Sequence, residues 1–317
     1  MFAGLVRMLG WLPDRLAFAF ADLMVPVFVF VTWIGRKRAT RHRRGFHYNV
    51  RVVFRDRLDA RQRRALLWRW ARYMTHFAVE LVKMGEVNAT NLHRFVDIPE
   101  ESLARVRALV AQGKGLIALT GHIGAYEYSA HLVQVLGFSI TSVFRESPIR
   151  PVTDVINTIR GTGGQVMTER RGAVREMMRA LRAGEMMGLL ADVSSKESLV
   201  FTPFLGTPAA TNTTFGLLHL KTGAPIVVAT IERLRPRRFA FHIWEVIEHA
   251  PTDDRHADLV AIATRVNQAL SKAIQARPEQ WFWDARRFRT RPDGEQIGAD
   301  GLPPQTAPEQ VPTLHHA

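Results

Sequence analysis

Gly115-Leu-Ile-Ala-Leu-Thr-Gly-His-Ile-Gly-Ala-Tyr-Glu127 is the stretch on which the fold of this chain turns. Gly115 to Thr120 is a short apolar run that predicts a strand, and Gly121 breaks it as the chain passes toward a helix. On an unbroken helix, side chains at the spacing of His122 and Glu127 diverge by roughly 140°, so the two meet only across a turn. Gly121 and Gly124 give the backbone freedom for that turn, with the imidazole at the strand end and the carboxylate on the first helical turn. The pair reads as a general base and its orienter. A neutral imidazole takes a proton from an alcohol attacking an acyl carbonyl, while the carboxylate fixes its tautomer and supports the imidazolium. Backbone N–H groups between Gly121 and Gly124 are the expected oxyanion donors.

Outward from this block the pattern alternates. Upstream, Leu58 to Met84 predicts an amphipathic helix burying Leu66, Leu67, Trp70, Met74, Phe77 and Leu81, and Ser102 to Gln112 predicts a second. Downstream come strand Ile140–Phe144, helix Val152–Thr162, strand Gln165–Met167, helix Ala173–Ala183 and strand Met187–Ala191. After a loop, helix Thr214–Thr222, strands Pro225–Glu232 and Phe239–Val246, and helix Leu259–Ala276 complete the series. Such alternation predicts an α/β fold, a mixed, largely parallel sheet covered by helices. His122, Arg145 and Asp192 each close a strand pointing the same way, where open α/β sheets bind ligands. The expected divisions are an anchor with a basic flank at 1–44, a main domain at 45–289, and a mobile tail at 290–317, which is rich in Pro, Gly, Gln and charge.

The N-terminus predicts membrane attachment. Leu16 to Gly35 is apolar apart from Asp22 and Pro26, and its length of about 20 residues matches the hydrocarbon layer. Arg36, Lys37, Arg38, Arg41, Arg43 and Arg44 follow it, whereas only Arg7 and Arg15 precede it, so the main domain is expected on the cytoplasmic side. A span is the leading expectation, with a helix lying in the interface as its competitor, since Asp22 and Pro26 count against a span. The net charge of +14 implies an anionic partner, and no nucleic-acid module is visible. The chain has no cysteine, which excludes disulfides, thiolate metal sites and an acyl-cysteine intermediate.

From about Arg51 to Pro292 the chain resembles the lysophospholipid acyltransferase superfamily, whose signature is H-x4-D/E, and within it the bacterial late lipid A acyltransferases. Leu119–Glu127 looks like the catalytic block and Val143-Phe-Arg145 like the second. Gly172–Arg175, Gly188–Asp192, Val200–Gly206, Thr222–Ile226, and Pro278–Trp283 followed by Arg286-Arg287-Phe288 carry the rest, in the family's order. The resemblance implies transfer of a fatty acyl chain from an acyl carrier protein or acyl-CoA thioester to a hydroxyl of a lipid A precursor or related anionic glycolipid, at the inner membrane. It implies that Arg145 grips a phosphate of the acceptor and that Asp192 is an acidic residue of the cleft, orienting His122 or the acceptor. No metal or redox cofactor is required.

Alternative readings accompany these. Arg170, Arg171, Arg175, Arg179 and Arg182 form one cationic stripe, either a solvated face or a docking surface for acyl carrier protein or lipid phosphates, with Arg170 and Arg171 nearest the site. His122, Glu127 and His131 are the ligands of a rival metal-dependent hydrolase. A non-catalytic basic membrane scaffold needs only the anchor and the arginines. Where relatives tend to carry histidine before the paired arginines, this chain has Asp284-Ala285, and Val193–Ser198 is also untypical, so loop-borne acceptor specificity does not transfer.

Overall fold

The computed structural model of the protein describes residues 9–144, 166–169 and 173–312. The expected helix Val152–Thr162 and residues Arg145, Arg170 and Arg171 lie outside them. Helices α1 (Asp14–Arg41), α2 (Gly45–Phe54) and α3 (Ala60–Val82) precede the sheet. A capping box starts α3, with Asp59 and Gln62 each accepting from the other's backbone N–H. Helix α2, unpredicted, buries Phe46, Val50, Val53 and Phe54 against Trp70 of α3 and Trp283.

A seven-stranded sheet follows. Its members are β1 (Val96–Asp97), β2 (Leu116–Thr120), β3 (Ile140–Phe144), β4 (Val166–Glu169), β5 (Met186–Leu190), β8 (Ile226–Arg235) and β9 (Arg238–Ile247). Their spatial order is β1-β9-β8-β2-β5-β3-β4. Every neighbouring pair is parallel except the β8–β9 hairpin. Helices α4 (Glu100–Val110), α5 (Tyr128–Val135), α6 (Ala173–Arg182), α7 (Thr214–Thr222) and α8 (Arg255–Ala276) complete the α/β architecture. β6 (Leu199–Phe204) and β7 (Thr207–Asn212), expected as loop, form a separate antiparallel hairpin packed on α8. Period-two burial in β6 fits this, but the run is short and Pro203 interrupts it.

Composition pointed to a mobile tail from residue 290, and the structure corrects this through residue 312. Leu302, Ala307 and Val311 are buried, the Thr306 and Ala307 amides donate to the Gly206 carbonyl, and Gln305 donates to the backbone of α2. Three spaced apolar residues and Pro-rich turns were sufficient to dock a segment whose average composition is polar.

Helix α1 is the one helix among the described residues long and apolar enough to cross a membrane. It lies against the domain, with Ala17, Phe18, Ala21 and Val25 buried, and Asp22 accepts from Arg72 of α3 at 2.7 Å.

Candidate active site

Strand register brings the site together. β2 and β5 are parallel neighbours with Thr120 opposite Leu190, and the ladder continues as the Ala191 amide donates to the Thr120 carbonyl. His122 and Asp192 therefore emerge side by side, each just past its strand. His122 Nδ1 lies 2.8 Å from Asp192 Oδ1, and the His122 backbone N–H donates to Oδ2 at 2.9 Å. Trp281 Nε1 donates to the same Oδ2 at 2.9 Å. Asp192 is fully buried. Burial pushes its carboxyl up, but the His122 charge and the hydrogen bonds from His122 and Trp281 outweigh this and hold it below its ordinary value. Nearby, the fully buried Arg287 donates to Thr211 and Asn267; burial pushes its guanidinium down to about 10, against the opposing pull of Asp192.

The turn that carries His122 is stitched from three sides. The Gly124 amide donates to the Gln280 carbonyl, the Phe282 amide to the His122 carbonyl, the Ala125 amide to the Ile231 carbonyl, and Tyr73 Oη to the Gly124 carbonyl. Gly124 has φ +58°, and a Cβ there would sit 2.0 Å from the Ile231 oxygen, so only glycine fits. Gly121 packs directly on Asp192, where a Cβ would approach its Cγ to 3.2 Å.

These bonds correct one expectation. The amides of His122, Ile123, Gly124 and Ala125 donate to Asp192, Gly121, Gln280 and Ile231 respectively, so the turn's N–H groups hold the turn in shape instead of facing an oxyanion. Gly121 and Gly124, expected to bind substrate, act here through the backbone geometry they permit. The orienting position at Nδ1, which the sequence reading gave to Glu127, is occupied by Asp192. Glu127 stands immediately before α5 and lines the same cavity as His122. His131 is buried and its Nε2 bonds the Val87 carbonyl at 2.7 Å, which removes the third ligand of the metal reading. Among the described residues no group of three His, Cys, Asp or Glu could hold a metal ion.

A cavity of about 1010 Å³ opens beside His122. Its lining changes along the strands. At their carboxyl ends it holds His122, Glu127, Ser194, Lys196, Arg286 and Arg289. At their amino ends it is walled by Leu116, Ile140, Met186 and Val227, the first three of which begin their strands, together with Phe138, which precedes β3. Midway, the small residues Ala118, Gly188 and Ser142 are paired across β2, β5 and β3 and keep the slot open. Five residues of strand span about 17 Å. The slot is therefore long and apolar, with a polar, basic mouth.

Within the Pro278–Trp283 block, Trp281 donates to Asp192 and the Gln280 carbonyl accepts from Gly124, roles that the sequence pattern does not reveal. The pattern does show three aromatic residues crowded outside any periodic element; two of them, Trp281 and Trp283, are fully buried with ring centroids 4.7 Å apart. On α6, Val174, Arg175, Arg179 and Arg182 are exposed and Met177 and Leu181 buried, so the described part of the cationic stripe faces outward. Arg179 pairs with Glu176 there at 2.7 Å.

The family model for bacterial lipid A biosynthesis acyltransferases matches residues 4–290. A lipid A biosynthesis acyltransferase of Haemophilus influenzae is 29% identical over 198 residues, 62% of this chain and 60% of that protein. The lipid A biosynthesis palmitoleoyltransferase of Escherichia coli K12 is 31% identical over 128 residues, 39% of this chain and 40% of that protein. The lauroyltransferase of the same organism is 26% identical over 196 residues, 61% and 62% respectively. The chain thus spans less than two thirds of the length of these relatives. The extent of the family match, together with the dyad at the ends of β2 and β5, leads to one assignment: the chain belongs to the bacterial lipid A biosynthesis acyltransferase family.

Proposed function

We propose that the protein is an O-acyltransferase that moves a fatty acyl chain from an acyl thioester to a hydroxyl of a lipid A precursor or a related anionic glycolipid at the cytoplasmic face of the inner membrane. The observation that carries this reading is the His122–Asp192 pair at the mouth of a long apolar slot. With Nδ1–H donated to Asp192, Nε2 is left as the proton acceptor, which is the tautomer a general base needs. The acyl chain lies in the slot, its thioester carbonyl at the mouth. His122 Nε2 removes the proton of the acceptor hydroxyl, the hydroxyl oxygen attacks the carbonyl carbon, the C–S bond breaks, and the thiol leaves with a proton returned by the imidazolium. Glu127 and Asp192 together support the charge on that ring.

The basic residues divide the remaining work. Arg145, with Arg286 and Arg289 at the mouth, meets phosphate on the acceptor, and Arg170, Arg171 and the exposed face of α6 receive an acidic donor such as acyl carrier protein. Mass spectrometry of glycolipids from cells with and without the protein tests the reading. The expected result is a difference of one fatty acyl group, restored by the wild-type chain and not by His122→Ala. Identical glycolipids in the two strains would refute it.

A further inference from the structure

We infer that α1 does not cross the bilayer but lies in the plane of one leaflet, forming with the exposed arginines of α3 a single surface that docks on an anionic lipid bilayer. The inference rests on the lipid-acting reading above and deepens it. Helix α1 touches the domain along much of its length. Lys83 donates to the Leu12 carbonyl and pairs with Asp14, Arg72 and His76 hold Asp22, Val79 packs with Phe18, and Phe28 meets Trp70 edge-on at 5.3 Å. As numbers rise along α1 the partner numbers fall along α3, so the two helices run antiparallel.

Helix α3 cannot follow α1 across a membrane. Its Leu66, Leu67 and Trp70 belong to the main core with Ile117 of β2 and Trp283 beside the catalytic turn. A spanning α1 would therefore draw the catalytic domain, with Arg69, Arg72 and Glu80, into hydrocarbon, where such groups are strongly disfavoured. The outward face of α1 is nevertheless apolar. Leu16, Phe20, Leu23, Val27, Phe30 and Ile34 are exposed and recur at helical spacing, opposite the buried Ala17, Ala21 and Val25. Beside this ridge, Arg61, Arg64, Trp68 and Arg72 of α3 are exposed and also fall on one helical face. Trp33 carries Arg36 over its ring at 4.0 Å near the end of α1. An apolar ridge flanked by arginine and tryptophan is the composition of an interfacial helix, and anionic headgroups complement the chain's charge of +14.

The absence of cysteine makes the test direct. Arg15→Cys and Lys37→Cys place single thiols near opposite ends of α1, about 33 Å apart along the axis. A membrane-impermeant maleimide is applied to intact spheroplasts and to inverted inner-membrane vesicles, with detergent-solubilised protein as the reactivity control. Both thiols should label from the same side. Labelling from opposite sides, or of either thiol from neither side, would overturn the inference. In a second arm, the full-length protein is bound to phosphatidylglycerol and phosphatidylcholine vesicles. Arg61→Gln with Arg64→Gln should weaken binding to the anionic vesicles about fivefold per arginine and leave neutral vesicles little changed. Unchanged affinity would overturn the lipid partner, as would a stable dimer in solution that binds neither vesicle, which would assign the ridge to a second copy. Topology is read without turnover, so loss of the acyl-transfer reading would leave this result standing.

Discussion

Replacing Asp192 by asparagine keeps the shape of the side chain but changes what each of its atoms can offer. In the wild type, Oδ2 accepts two donors, the His122 backbone N–H and Trp281 Nε1, while Oδ1 faces His122 Nδ1. The asparagine oxygen takes the position with two donors, and its NH₂ group then faces Nδ1. That forces Nδ1 to accept and Nε2 to carry the proton, which disables the base. The reverse amide orientation restores the useful tautomer but turns an NH₂ group toward two buried donors. Each donor left without an acceptor costs about 1–3 kcal/mol, so the competent orientation lies roughly 2–6 kcal/mol higher. At 1.4 kcal/mol per decade, kcat should fall about 30-fold to 10⁴-fold, with the thermal transition still cooperative. The assay is turnover of purified variant on acyl thioester and acceptor lipid, beside a melting curve. A folded Asp192→Asn protein with kcat within a few-fold of wild type would refute the role given to Asp192.

Other expectations follow from the same geometry. Gly124→Ala combines a left-handed φ with a Cβ pressed on the Ile231 carbonyl and should destabilise the fold by about 2–5 kcal/mol in denaturant unfolding. Glu80→Ala strips the buried Arg233 of its carboxylate, bonded at 2.5 Å, and should cost about 3–5 kcal/mol by the same measurement. Ala118→Leu fills the middle of the slot and should shift preference toward shorter acyl donors in a competition assay read by product mass, with the longest chains losing most. The depressed Asp192 carboxyl contributes stability that is fully present above its ordinary value of 3.8 and is lost as pH falls through its lower folded value. Acid unfolding curves below pH 3.8 should therefore be steeper for wild type than for Asp192→Asn.

The sheet was legible because its strands are short apolar runs punctuated by glycine: strand Ile140–Phe144 has the same bounds in sequence pattern and structure, as does helix Thr214–Thr222. Strand order was not legible. Nothing local says that β5 inserts between β2 and β3, and that neighbour relation is what gives Asp192, and not Glu127, the Nδ1 side of His122. The α2 helix escaped because it is a run of only 10 residues, too short for its helical period to stand out beside the arginine-rich flank. Trp281 escaped because its function is an indole N–H aimed at one carboxylate, and no spacing encodes that direction. The folded-back segment at 291–312 shows the weakness of averages: Leu302, Ala307 and Val311 dock it despite a polar composition.

The central claim is that His122, set by Asp192, drives direct acyl transfer to a lipid hydroxyl. A single-turnover reaction tests it most directly, using the full-length protein, a radiolabelled acyl thioester and a phosphorylated glucosamine-based glycolipid acceptor, with label partitioned among thioester, free fatty acid and lipid ester. The account predicts that label passes to the lipid ester with one thiol released per ester formed, and that His122→Ala slows this step by about 10²–10⁴-fold. Label appearing as free fatty acid with no lipid ester, or ester formation at an undiminished rate in folded His122→Ala protein, would contradict it.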